Sequence, residues 1–212
     1  MELMPAPIAI LLHGLWMGEF ELAGLKHRLH GFGFECRTFG YPSVAGTMAE
    51  HVASLRELVQ RTPAETMHFV GHSLGGLVVV KFLEQTNDVP PGRAVCLGSP
   101  LQGCVSARGF ARLPLARALL GRAVAEEVLD CGPRVWSGRR ELGVIAGSVG
   151  LGLGRLFANL PADHDGSILV EETRLPGAAD HIVLPVSHTG MVFSAPVAEQ
   201  TAHFLSHGMF KR

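Results

Sequence analysis

Phe69-Val70-Gly71-His72-Ser73-Leu74-Gly75-Gly76-Leu77-Val78-Val79-Val80 is the stretch whose reading decides the fold. An aromatic and β-branched run enters it, glycine–serine–glycine spacing interrupts it, and an apolar run suited to a helix leaves it. The pentapeptide Gly71-His72-Ser73-Leu74-Gly75 alone is a weak signal, because glycine and serine are common. Between a strand and a helix it describes a sharp turn that raises its serine on a strained backbone. Gly71 and Gly75 lack the Cβ atoms that would collide across so tight a turn. Ser73 is thereby exposed as a candidate nucleophile, and the N–H of Leu74 points toward a reacting carbonyl.

Short apolar runs alternate with helical patterns on either side, which predicts a mainly parallel sheet with crossover helices on both faces. Residues 8–12 read as a buried strand. Leu22, Leu25 and Leu29 mark one face of a helix closed by Gly31, and residues 34–39 form a second strand. Thr47 and Glu50 have capping-box spacing, with Met48, Val52, Leu55 and Val59 as the stripe of the helix that follows. Residues 67–70 are the strand ending at the Gly71 turn, and 74–83 begin the next helix. Further strands are expected at 93–97, 141–146 and 181–186, about six in all. Pro196 can open a final helix carrying Val197, Phe204 and Leu205. There is no internal repeat and no domain-splitting linker, so 1–212 reads as one domain.

Residues 101–136 depart from the alternation. Pro114 stands at an expected helix start, Leu115, Leu119, Leu120, Val124 and Val128 follow along it, and Arg108, Arg112, Arg117 and Arg122 punctuate it. The segment reads either as one crossover helix with solvated arginines, the favoured reading, or as a lid over an apolar cleft.

The first strand supplies a second piece of chemistry. His13-Gly14 lies at its carboxyl end, next to the Ser73 turn in a parallel sheet, so the N–H of Leu15 can join that of Leu74 as an oxyanion hole. His13 itself reads as a histidine bracing that loop. With these motifs in place, the sequence resembles the α/β-hydrolase superfamily, and within it the compact bacterial lipases and esterases. The residues that carry the resemblance are Ile10-Leu11-Leu12-His13-Gly14, Val70-Gly71-His72-Ser73-Leu74-Gly75-Gly76, Asp165-Gly166 and Ser187-His188-Thr189-Gly190. They span most of the chain. The resemblance implies a three-layer α/β fold in a minimal form, without antiparallel strands before the first parallel one. It also implies an ester hydrolase that needs no cofactor and no metal.

A nucleophilic serine needs a base, and imidazole exchanges a proton near neutral pH. Eleven histidines compete. His27, His30 and His51 fall on expected helices and read as exposed, while His68 lies within the strand before the serine. His72 adjoins Ser73, where neighbours diverge across the turn. His203 and His207, one helical turn apart, read as a surface pair. The superfamily order of serine, acid, histidine selects His188, on the loop after the last strand; His181 begins that strand and should emerge at the opposite end. His164 comes too early.

For the acid, Asp165 is favoured over Asp163, Glu171, Glu172 and Asp180. Asp165-Gly166 is turn chemistry that resembles the aspartate-containing loop of the bacterial lipases. Asp180 should face away from the site, and the two glutamates fall in an expected helix.

Composition excludes other classes. The formal charge is −1 with no long basic run, so nucleic-acid binding has no electrostatic footprint. Residues 1–12 are apolar but lack the basic start and cleavage site of a signal peptide, and no apolar run is long enough for a membrane span. With Cys36, Cys96, Cys104 and Cys131 in no C-x-x-C spacing, a reduced, cytoplasmic protein is expected. Gly150-Leu151-Gly152-Leu153-Gly154 is followed by Arg155 where a dinucleotide motif needs glycine, so it reads as a flexible loop. Trp16 and Met17 beside the oxyanion motif, and Met191 after the base, suggest a pocket for a small-molecule ester with an apolar acyl group. Acyl transfer by the same three residues, and a catalytically silent binding scaffold, are the alternatives.

Overall fold

A computed structural model describes residues 6–129, 132–152, 154, 157, 160 and 163–212. Cys131, Leu153, Arg155, the first five residues and positions 130–131 of the insert lie outside them. Six parallel strands form one sheet in the order β2-β1-β3-β4-β5-β6: β1 Ile8–Leu12, β2 Glu35–Phe39, β3 Met67–His72, β4 Ala94–Leu97, β5 Leu142–Gly147 and β6 Asp180–Leu184. No antiparallel strand precedes β1 among the described residues, as the minimal form of the fold requires.

The strands are continuous apolar runs because both faces of the sheet are covered. Along β1, Ile8, Ile10 and Leu12 enter one core while Ala9 and Leu11 enter the other. Helices α1 (Ala23–Gly31) and α7 (Ala195–His207) pack on the second face, and α2 (Met48–Gln60) and α3 (Leu74–Gln85) on the first. Right-handed crossovers demand this division. The chain winds outward from β1 to β2, then back past β1 to β3, so its crossover helices must change face. That reversal opens a crevice at the carboxyl ends of β1 and β3, the usual place for a ligand in an open α/β sheet.

Local signals fix the helix ends. Thr47 Oγ1 accepts from Glu50 N–H at 3.2 Å and the Glu50 carboxylate accepts from Thr47 N–H at 2.7 Å, closing the expected capping box of α2. Ser194 caps α7, proline occupies its first turn, and Gly208 ends it in the left-handed region.

The insert is not one helix. It folds as α4 (Val105–Phe110), α5 (Ala116–Leu120), α6 (Arg122–Val124) and a π-helical turn at Ala125–Leu129. Leu115 at φ 61° and Gly121 at φ 81° break it into pieces. A Cβ on Gly121 would stand 2.3 Å from the Val44 carbonyl oxygen, so the chain must turn where it meets the loop after β2. Leu120, Val124 and Val128 are buried, whereas Leu115 and Leu119 face outward.

Two local expectations also change. His51 is buried, 1 % exposed, with Tyr41 edge-on at 4.7 Å, because α2 presents it inward beside Met48, Val52 and Leu55. β3 continues two residues past Val70, which turns His72 into the interior.

Candidate active site

The turn at Ser73 is as tight as its glycines imply. Ser73 adopts φ 53° and ψ −120°, and its N–H is held by Leu97 O at 2.8 Å. A Cβ on Gly71 would lie 2.4 Å from Gly76 N, directly across the turn. Gly75 serves a different purpose: a Cβ there would meet Leu12 O at 2.6 Å, so its absence lets α3 start against the end of β1. Register pairs Leu12 with Gly71, and a Cβ on Gly14 would stand 3.0 Å from Ser73 Cβ. The loop after β1 therefore abuts Ser73. Leu15 and Leu74 both border the cavity at this point. Leu74 opens α3, whose first N–H groups have no partner within the helix, and among the described residues no backbone hydrogen bond takes the N–H of Leu15. His13 braces the loop: Nδ1 meets Gly14 O at 2.9 Å, the ring stacks on Tyr41 at 4.4 Å, and Tyr41 OH donates to His13 O at 2.7 Å.

His188 follows β6 and is tied down at three atoms. Its Nδ1 donates to Asp165 Oδ2 at 2.7 Å, its N–H donates to Asp165 O at 2.8 Å, and its carbonyl accepts from His72 Nε2 at 3.0 Å. Asp165 is buried, and its other oxygen accepts from Ser167 N–H at 2.9 Å and Ile168 N–H at 2.8 Å. Ser73 and His188 line the same cavity. Among the described residues Asp163 makes one bond, accepting from Val170 N–H through its carbonyl. Asp180 bonds Phe210 N–H, and His181 bonds Thr173 Oγ1. Glu171–Thr173 is a single 3₁₀ turn in which Glu172 is buried, accepting from Val105 N–H and Leu169 N–H.

The cavity, about 430 Å³, is mostly apolar. Trp16 and Met17, on the loop after β1, line it. Phe110, Leu120, Val124 and Val128 of the insert line it too, as does Ile168. Met191 does not line it. That side chain is fully buried in the core with Val70, Leu97 and Ile145, beneath His188 and Asp165, because the 3₁₀ turn Thr189–Phe193 directs it inward.

His72 is the residue that sequence reasoning passed over. Burial holds its pKa down at about 3, with the neighbouring His188 adding to the effect, so its imidazole stays neutral and Nε2–H serves as a fixed donor. Extending the two-residue alternation of β3 through Gly71 and His72 would have turned it inward. The glycine-rich loop also acquires a reason. Cβ atoms on Gly152 and Gly154 would approach Gly166 O at 2.8 and 2.6 Å, so these glycines let it lie against the acid loop. Cys36, Cys96 and Cys104 are buried and free, and burial pushes the thiols of Cys96 and Cys104 up to about 12.

No family model matches the sequence, and no curated protein matches it. Solved structures do. A lipase of Bacillus licheniformis in its mature form superposes with a TM-score of 0.75 at 16% identity, over 96% of this chain and 92% of that one. A metagenomic carboxyl esterase gives 0.64 at 18% identity, over 87% and 65%. A carboxylesterase of Bacillus subtilis gives 0.60 at 16%, over 96% and 84%. At such identities the likeness speaks for the fold: this chain has the compact, all-parallel form of the α/β-hydrolase fold seen in bacterial lipases and esterases.

Proposed function

We propose that the protein is a serine hydrolase of carboxylic esters. The observation that carries this reading is the bond from His188 Nδ1 to buried Asp165, on the cavity that Ser73 enters from a strained turn. With Nδ1–H committed to the carboxylate, Nε2 keeps its lone pair and can accept the Ser73 proton. The serine oxygen then attacks the ester carbonyl carbon. The oxygen of the tetrahedral adduct takes its negative charge between the N–H groups of Leu15 and Leu74. Collapse breaks the bond to the alcohol, which leaves with the proton from Nε2. Water, deprotonated by the same nitrogen, then releases the acid from Ser73.

The cavity favours an ester whose acyl part is apolar, lying against Trp16, Met17 and the roof of the insert. The insert serves as its lid.

Labelling by a fluorophosphonate, with Ser73→Ala as the control, tests the reading. Labelling of the wild type alone supports it. An unlabelled wild type, or ester turnover retained in the variant, overturns it. A chain-length series of nitrophenyl esters then tests the apolar pocket, and a profile confined to acetate would count against it.

A further inference from the structure

Ser106 lines the cavity from the first turn of α4 and is 6 % exposed. Its Oγ is buried and has no hydrogen-bond partner among the described residues. The hydroxyl is not needed to cap α4. Cys104 does that, its Sγ accepting from Ala107 N–H at 3.3 Å. Nor is Ser106 loosely placed, because the buried carboxylate of Glu172 accepts from Val105 N–H at 2.5 Å and pins the start of the helix. A buried hydroxyl without a partner is destabilising, and alanine at this position would remove the cost. Ser106 therefore keeps a polar group that the fold itself does not use.

A glycine keeps the space beside that hydroxyl open. A Cβ on Gly154 would stand 2.9 Å from Ser106 Oγ and 2.7 Å from Ser167 Cα, and all three residues line the cavity. Ala107 and Ile168, next in the chain to the two serines, line it as well. The result is a polar spot set in an apolar wall. Ser73 borders the same cavity, so a chain held there as an acyl group can pass this spot.

The chemistry of the spot defines what it can take. Water can pair with the hydroxyl in the free cavity, but an acyl chain that is apolar throughout would displace that water and leave Oγ unpaired. A chain carrying an oxygen at that depth would accept the Ser106 proton instead. Charged substituents do not fit. Among the described residues no lysine or arginine lines the cavity, so an anion would be buried unpaired. The one lining carboxylate, Glu21, follows the loop after β1 and accepts from Gly18 N–H at 2.9 Å; it is not on the wall that carries Ser106.

We propose that Ser106 is a specificity residue, its hydroxyl selecting esters whose acyl chain carries a neutral oxygen, keto or hydroxyl, over chains that are apolar throughout. This selection rests on the esterase reading for its chemistry.

The test compares nitrophenyl decanoate with the series of its oxodecanoates, the carbonyl moved one carbon at a time. Wild type should favour one or two adjacent members over the plain chain by about 10-fold in kcat/KM, the effect of one buried hydrogen bond gained. Ser106→Ala should level the series, and its thermal midpoint should not fall. Ser106→Thr, which keeps a hydroxyl, should retain part of the preference. Calorimetry with Ser73→Ala and the matching methyl esters should give the same ranking in Kd without turnover. That arm separates the two readings: a binding preference in a protein whose wild type takes no fluorophosphonate would defeat the esterase and keep the polar subsite.

Equal kcat/KM across the series, with Ser73 labelled, would leave the esterase standing and overturn the subsite. So would a preference that survives in Ser106→Ala. A fall in that variant's thermal midpoint would also overturn it, by showing the hydroxyl bonded within the fold.

Discussion

Asp165 holds His188 twice, by its carboxylate at Nδ1 (2.7 Å) and by its carbonyl at the backbone N–H (2.8 Å). One residue therefore sets both the tautomer of the imidazole and the path of its loop. The arrangement makes Asp165→Asn sharply informative. Asparagine can keep its oxygen on the amides of Ser167 and Ile168, which leaves its NH₂ group facing Nδ1. Two donors cannot meet there, so the proton moves to Nε2 and the base is lost. Turnover of a nitrophenyl ester should fall about 10⁴-fold with the circular dichroism spectrum unchanged, while Asp163→Asn should keep most activity. The reverse ranking would move the acid to Asp163.

His72 predicts a different pattern. It touches the His188 carbonyl, and burial holds its pKa near 3, so it holds His188 in place without exchanging protons. His72→Leu should lower kcat by about 10-fold or more, the order expected when a catalytic group is misplaced by a fraction of an ångström, with KM little changed. His72→Gln, which restores an N–H donor, should recover part of that loss. The acid limb of kcat/KM should keep the slope of a single proton in wild type. A slope of two would show that His72 titrates with the base.

How much of this was legible in the sequence depends on how local each signal is. The turn at Ser73, the capping box at Thr47 and the strand runs are set by neighbours in the chain, so their residue types announce them. The pairing of His188 with Asp165 was expected from the superfamily's chain order and from the likeness of Asp165-Gly166 to a lipase loop, and the two side chains do bond. The broken insert did not, because a leucine at φ 61° carries no sequence mark and Gly121 turns only where Val44 blocks the way. The burial of His51 and of Met191 was equally hidden, since each depends on which tertiary face its helix or turn presents. The tether from His72 to His188 joins residues 116 positions apart, and no local pattern reports it.

Buried neutral histidines make stability depend on pH. Burial lowers the pKa of His51 and His181, and that of His68 to about 4, from an ordinary 6.5. Below 6.5 the unfolded chain takes up protons that the fold refuses, so stability falls as pH falls from about 6.5 toward 4. The urea midpoint should therefore be lower at pH 5 than at pH 7. His68 Nδ1 accepts from Arg93 N–H at 3.0 Å, and asparagine can supply an oxygen at that place. His68→Asn should shrink the difference between the two midpoints, whatever it does to either one. An unchanged difference would assign the effect to other groups.

Gly98 sits under His188 and Asp165, and a matched control isolates what it does there. It ends β4 at φ 55°, its N–H held by Ile145 O at 2.8 Å. A Cβ on it would stand 3.0 Å from Met191 Sδ and 3.1 Å from both Asp165 Oδ2 and His188 Nδ1. Gly98→Ala thus combines two effects: left-handed strain of about 1–2 kcal/mol and crowding at the bond that orients the imidazole. Gly33 has φ 92° with nothing within 4 Å of its would-be Cβ, so Gly33→Ala suffers strain alone. Both variants should lose stability in urea, Gly98→Ala at least as much as Gly33→Ala. Only Gly98→Ala should also lose turnover, by about 10-fold or more because a small displacement of a reacting group is costly, with KM close to wild type. Equal kcat in the two variants would mean that Met191 gives way and the pair of His188 and Asp165 is not held from below.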